Sequence, residues 1–218
     1  MSREILVRRP GRVDYEPAWR AMQAFTERRD ADTPDELWCL EHPPVYTLGL
    51  NGDRAHVLAA GDIPVIGIDR GGQVTYHGPG QLVMYPLLDL RRLRLGIRDL
   101  VSRLEDAVVT ALAEWDITAA ARPDAPGVYV DGAKIASIGL RVRRGASYHG
   151  IAINIDGDLE PFARINPCGF AGLRMTRLCD LHAGATLDTA QPVFERTLLA
   201  ALGLEGRDAP PPELRATG

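Results

Sequence analysis

Cys168 lies in the run Ile165-Asn166-Pro167-Cys168-Gly169-Phe170, between a proline and a glycine. That context predicts a surface turn, where a thiol is accessible enough to react. The other two cysteines differ. Cys39 sits in a strand-like run beside Trp38 and Leu40, and Cys179 sits between Leu178 and Leu181, so both read as small buried hydrophobes. A thiol at neutral pH is mostly protonated and needs a neighbouring base or cation to act as a nucleophile. The chain is rich in arginine and poor in lysine, yet Lys134 stands inside the apolar strand-like run Gly132-Ala133-Lys134-Ile135-Ala136-Ser137-Ile138-Gly139-Leu140. An ammonium in such a place has its own pKa lowered by desolvation, and a thiolate beside it is stabilised. A Cys168–Lys134 dyad is therefore chemically sound, with Lys134 carrying the proton.

Such a pair needs a pocket, and the stretch from Asp69 to Leu90 is the candidate wall. Gly71 and Gly72 open it, Gln73 to Tyr76 reads as a short strand with Val74 and Tyr76 on one face, and Gly78-Pro79-Gly80 turns the chain. Leu82 to Leu88 follows as a buried apolar strand. Arg70, His77 and the glycine backbone gather at the mouth of a sheet. The glycine spacing matches neither a dinucleotide fingerprint nor a phosphate-binding loop.

The surrounding elements follow from hydrophobic period. Glu4–Arg8 reads as a strand. Asp14–Arg28 reads as an amphipathic helix, with Asp14 as its cap and Tyr15, Trp19, Met22 and Phe25 as core. Glu36–Leu40 is a strand broken by His42-Pro43-Pro44, and Val45–Leu48 and Val65–Asp69 are extended. Ile97–Trp115 carries the clearest helical stripe. Val128–Val130, Lys134–Val142 and Tyr148–Ile155 are consecutive strands joined by Asp131-Gly132 and Arg144-Gly145 turns. Ile165–Gly172 is irregular, Gln191–Leu202 is a last helix, and the Pro-rich end, from about residue 207 to 218, reads as a disordered tail. Strands and helices without strict alternation predict an α+β fold of mixed or antiparallel sheets packed with helices. The 218 residues fit a single catalytic domain.

Composition narrows the function. Hydrophobic content of 45% and charge of 25% are ordinary globular values, and a net charge of −4 does not suggest a nucleic-acid partner. The charged start from Met1 to Pro10 is not a signal peptide, and no apolar run approaches the ~20 residues that span a bilayer. An odd number of cysteines argues against a disulfide framework and for a cytoplasmic protein with reduced thiols.

Four motifs, in order, resemble those of the lipoyl(octanoyl) transferases, the octanoyltransferases of protein lipoylation. They are Arg70-Gly-Gly-x-x-Thr-Tyr-His-Gly-Pro-Gly-Gln81, Gly132-x-Lys-Ile-Ala-Ser-Ile-Gly139, His149-Gly-Ile-Ala-x-Asn154 and Asn166-Pro-Cys-Gly169. The resemblance spans Asp69 to Gly169 without a departure at a catalytic position. It implies the fold of biotin- and lipoate-protein ligases, an acyl-thioester on Cys168 and a Lys134 that lowers its pKa. It further implies substrate contacts along Arg70, Gly71, Gly72, Gln73, Val74, Thr75, Tyr76 and His77, along Ser137, Ile138 and Gly139, and along Gly150, Ile151 and Ala152. The donor it implies is octanoyl-acyl carrier protein. The acceptors are lipoyl domains of 2-oxoacid dehydrogenase complexes and the glycine cleavage H protein, with no cofactor, nucleic acid or membrane involved. Carrier proteins are acidic as a class, so Arg91, Arg92 and Arg94, with Arg141, Arg143 and Arg144, form a candidate dock.

Other arrangements are weaker. His77 and His149 each flank a glycine at a strand end and could line the pocket. Cys39-x-x-His42 and Cys179-x-x-His182 have ligand types for a zinc site but are far apart in sequence, so no metal is expected. An ATP-dependent ligase of the same fold would not need the cysteine motif. A non-catalytic module binding carrier or lipoyl domains would need neither Cys168 nor Lys134.

Overall fold

The computed structural model describes residues 4–214. Strand β1 (Glu4–Arg12) leads into helix α1 (Tyr15–Arg28), then strands β2 (Asp35–Glu41), β3 (Val45–Leu48), β4 (Val65–Gly67), β5 (Val74–His77) and β6 (Gln81–Leu87). A short helix α2 (Leu90–Leu93) and the long α3 (Ile97–Ala113) precede β7 (Ala120–Ala121), β8 (Gly127–Val130), β9 (Ala133–Arg143) and β10 (Ala146–Asn154). Helices α4 (Leu178–Leu181) and α5 (Leu187–Leu202) and strand β11 (Glu205–Ala209) complete the chain.

Eight strands form one mixed sheet in the order β11-β1-β2-β6-β10-β9-β8-β7, and β4-β3-β5 form a second, small sheet. The alternation of a strand sorts its residues between two faces. Along β6, Leu82 and Met84 pack with Leu100, Leu104 and Val108 of α3 and Phe194 and Leu198 of α5. Val83 and Tyr85 point the other way, into a cluster with Tyr15, Trp19, Met22 and Phe25 of α1. The prolines after His42 end β2, and the chain re-emerges as β3 in the small sheet. That break leaves a space between the two sheets. The small sheet has its own outer core, where Val74 and Tyr76 meet Tyr46, Leu48 and Phe162.

Several boundaries depart from the sequence reading. Asp14 occupies the N-cap position of α1, but its side chain makes no capping bond. Helix α5 begins at Leu187, four residues before Gln191, because Thr186 Oγ1 accepts from Thr189 N at 3.3 Å. Its Pro192 lies inside the helix rather than in its first turn. Arg207–Ala209 are not tail: they belong to β11, which pairs in parallel with β1. Beyond it, Pro210 O accepts from Arg8 at 2.5 Å and Leu214 packs against the α1 cluster, while residues 215–218 lie outside the described residues. Among the described residues no helix is long and apolar enough to cross a membrane.

Where α2 follows β6, buried Asp35 is held by Arg29 and by Arg92 at 2.7 Å, and accepts from Asp89 N at 2.7 Å. Removing one partner of a buried pair leaves a desolvated charge. Asp35→Ala is expected to lower the unfolding free energy by about 3–5 kcal/mol in urea titrations. Arg91→Ala, next to Arg92 but without an ion pair among the described residues, should change it by no more than about 0.5 kcal/mol. Equal effects of the two would refute this account of Asp35.

Candidate active site

Lys134 is the chain's only lysine; every other basic side chain counted with it is arginine. It lies on β9 and is completely buried. Its backbone is fixed by the segment that follows the cysteine motif: Lys134 N donates to Arg174 O at 2.8 Å, and Thr176 N donates to Lys134 O at 3.0 Å. Its Nζ stands 5.4 Å from the Tyr129 ring centroid, a cation–π arrangement. The side chain crosses Gly127, where a Cβ would fall 2.6 Å from Lys134 Cε and 2.4 Å from Ala136 O. With φ at +133°, that position admits only glycine. Gly127 N donates to the buried Glu105 carboxylate at 2.9 Å, which anchors the crossing.

Pro167–Gly169, expected as irregular, forms a single 3₁₀ turn. Gly169 N donates to Asn166 O and Phe170 N to Pro167 O, both at 3.0 Å. The turn leans on residues the sequence did not single out. Asn166 N donates to His56 O at 2.8 Å, and the Asn166 amide lies 3.5 Å from His56 Nδ1. On the other side, a Cβ on Gly169 would meet Gln73 Cγ and His56 Nε2, each at 3.6 Å. The backbone of the cysteine turn thus borders the Gln73 end of β5. Burial pushes the Cys39 thiol well above its ordinary pKa. Cys179, expected to be buried, is partly exposed on α4 because this one-turn helix presents it beside Asp180, 3.8 Å away.

From Gln73 a narrow cleft runs between β5 of the small sheet and β6, β9 and β10 of the large one. Gly72, Gln73, Val74, Thr75 and His77 form one wall; Ser137, Ile138 and Gly139 with Gly150, Ile151 and Ala152 form the other. Arg70 also borders it, but its guanidinium is engaged in donation to Thr47 O at 2.8 Å, Thr47 Oγ1 at 2.9 Å and Gly71 O at 2.9 Å. Its stem lies on Gly139, where a Cβ would approach Arg70 Cδ to 2.8 Å. Two expected wall residues do not face the cleft. Tyr76 points to the opposite side of β5, 5.4 Å from the Phe162 ring, and Gly71 donates its N–H to Leu140 O at 3.0 Å.

The far end is closed by residues read from the sequence as core or as edge histidines: Tyr15, Val83, Tyr85 and His149 line it beside His77. His42 Nδ1 must donate to Val13 O at 2.7 Å, so its Nε2 accepts from the Tyr85 hydroxyl at 2.7 Å. His149 Nε2 donates to Asp69 at 3.0 Å, leaving Nδ1 to face the Tyr15 hydroxyl at 3.4 Å. Gln81 gives its amide N–H groups to Tyr76 O and Asn154, so its oxygen accepts from His77 Nδ1 at 2.7 Å. Burial lowers the His42 pKa to about 4, depresses His77 well below its ordinary value and lowers His149 despite the Asp69 carboxylate. Burial alone would raise Asp69, but hydrogen bonds from His149, Tyr148, Gln23 and Trp19 outweigh it and hold the carboxyl far below the ordinary range.

Elsewhere, Leu90 N donates to Gly145 O at 3.0 Å, which brings the Arg91–Arg94 and Arg141–Arg144 groups side by side. Arg92 is consumed by Asp35, and Arg143 pairs with Glu27 at 2.9 Å. The Cys39/His42 and Cys179/His182 pairs stay apart, since His42 lies against Tyr15, behind the cleft floor, and His182 lies beside Trp115. Among the described residues no three His, Cys, Asp or Glu are grouped to hold a metal ion.

The lowered histidines make stability depend on pH. Their unfolded forms bind protons near the ordinary value of 6.5, whereas the folded forms do so only lower, so stability rises with pH across that window. The urea midpoint is expected to be lower at pH 5.0 than at pH 7.5, and His42→Gln should shrink the difference. A wild-type midpoint that is the same at both values would contradict the neutral floor.

The lipoyl protein ligase A/B catalytic domain model matches residues 14–199. An octanoyltransferase of Methylococcus capsulatus is 62% identical over 200 residues, covering 92% of this chain and 97% of the relative. One from Saccharophagus degradans is 65% identical over 207 residues, covering 91% and 94%. Among solved structures, the putative lipoate protein ligase Ta0514 of T. acidophilum superposes with a TM-score of 0.77 at 16% identity, covering 96% of this chain and 88% of that one. The biotin protein ligase of Aquifex aeolicus gives 0.52 at 13% identity, covering 91% and 69%. At such identities these two likenesses show the fold alone.

Proposed function

The chain belongs to the octanoyltransferases, within the lipoyl protein ligase A/B catalytic-domain family, and on that premise we propose that it works through a thioester on Cys168. The donor is octanoyl-acyl carrier protein, and the acceptor is a lysine of a lipoyl domain, in a 2-oxoacid dehydrogenase complex or the glycine cleavage H protein. The observation that carries the reading is the placement of the only lysine. It is buried in the strand that also walls the cleft, bonded through its backbone to the segment returning from the Cys168 turn.

In the first half-reaction the Cys168 thiolate attacks the thioester carbonyl. The bond to the carrier sulfur breaks, and the leaving thiolate takes a proton from the Lys134 ammonium. In the second, the acceptor amine, having shed its solution proton, attacks the acyl-enzyme. Lys134, now neutral, accepts the proton released as the C–N bond forms, and Cys168 departs as thiolate, which restores the starting pair. Backbone N–H groups near Ile138, Gly139 and Gly150 are the proposed partners of the oxyanion. The apolar wall of Val83, Ile138, Ile151 and Ala152 receives the alkyl tail. At ~0.8 kcal/mol per buried methylene, six methylenes contribute about 5 kcal/mol, which disfavours short chains. The dock for the acidic carrier is the arginine face of α2 and the β9–β10 turn, with Arg91 and Arg94 free of Asp35. The reaction is cytoplasmic.

Intact mass after mixing with octanoyl-carrier protein tests the scheme. The wild type, Cys39→Ala and Cys179→Ala should each gain one octanoyl group, and Cys168→Ser none. Lys134→Arg keeps a cation that does not give up a proton near neutral pH. It should acylate slowly and pass the group to a lipoyl domain at least ~10²-fold more slowly than wild type. Near-normal turnover by Cys168→Ser would sink the nucleophile. Undiminished single-turnover transfer by Lys134→Arg would remove Lys134 from proton transfer.

A further inference from the structure

Four polar rings line the floor of the cleft, Tyr15, His77, Tyr85 and His149, and a fifth, His42, backs them. Tyr15 stacks on His77 at 5.5 Å and tilts against His42 at 4.8 Å, and His42 meets His77 edge-on at 5.8 Å. Tyr85 adjoins His42 at 5.9 Å and His149 at 6.4 Å. All five are at most 6% exposed, and each histidine is fixed in one tautomer by a partner outside the ring cluster: Val13 O, Gln81 or Asp69. The proton-transfer scheme uses none of them.

We propose that this hydrogen-bonded plug sets the upper limit on acyl chain length, a reading that rests on the octanoyl-transfer function above. An apolar tunnel open at its far end would prefer longer chains, because each added methylene tightens binding roughly fourfold. Rejecting them requires a wall that does not yield. A floor of leucines adapts by changing rotamers. Here, displacing Tyr85 separates its hydroxyl from His42 Nε2, and displacing His77 separates it from Gln81, each leaving a buried polar group without a partner. The floor is also uncharged, because burial keeps the histidines neutral. The methyl end of a chain that just reaches it therefore rests against ring faces without stripping water from an ion.

The test uses the full chain with octanoyl-, decanoyl- and dodecanoyl-carrier protein, following single-turnover acylation by intact mass. The readout is the dodecanoyl-to-octanoyl rate ratio within one variant, which cancels any loss of folded protein. Wild type should disfavour dodecanoyl at least tenfold. Tyr85→Leu should raise the ratio at least tenfold, and so should Tyr15→Leu, which lies on α1 outside the sheet and keeps a helix-forming residue. A wild type indifferent to length, or unchanged ratios in both variants, overturns the gauge while leaving the transferase reading intact. A wild type that acylates with none of the three overturns both.

Discussion

Two consecutive residues, Asp69 and Arg70, join the parts of this molecule. The Asp69 carboxylate accepts from Trp19 Nε1 at 2.7 Å and Gln23 Nε2 at 3.0 Å on α1, and from the Tyr148 hydroxyl and His149 on β10. Arg70 reaches the other way, to the β3 carbonyl of Thr47, while its stem covers Gly139 of β9. One side chain binds the helix to the large sheet; the next binds the small sheet to the same place. Hydrogen bonds to ionised groups are each worth about 1.5–3 kcal/mol net, so the joint is stiff. The cleft is what remains between elements fixed on both sides of it.

Much of this was legible in the chain. The alternation of Gln73–Tyr76 puts Val74 and Tyr76 on one face, as found, but that face is the outer one and not the expected cleft wall. Proline and glycine around Cys168 predict a turn, and an apolar setting around Lys134 predicts burial, as found. The floor was not legible. Tyr15 is one member of a helical stripe, and a stripe looks the same whether it meets packed side chains or the end of a cavity. His56 belongs to no periodic pattern; its place beside Asn166 is set by a contact spanning more than a hundred residues. Strand β11 carries mostly exposed polar residues and pairs through its backbone at an edge, so hydrophobic pattern gives no sign of it.

The architecture itself does not specify a reaction. The T. acidophilum protein Ta0514 and the biotin protein ligase of Aquifex aeolicus share it at 16% and 13% identity, and a fold held in common constrains where a ligand lies more than what happens to it. What particularises this chain is a handful of positions. Glycine stands at 127 and 139 because a lysine and an arginine must cross there, and the backbone of a proline-cysteine-glycine turn borders Gln73.

The solitary lysine bears also on the chain as its own bystander. An activated acyl group is attacked by whichever amine reaches it first, and side-chain amines are the usual casualties on a protein surface. Here the one lysine is buried and every other member of the lysine-arginine set is arginine, whose guanidinium stays protonated and so offers no lone pair for acylation. The arginine-rich surface is positively charged yet chemically inert toward acyl groups, so electrostatic attraction is separated from aminolysis, and no lysine side chain on the surface competes for an activated acyl group.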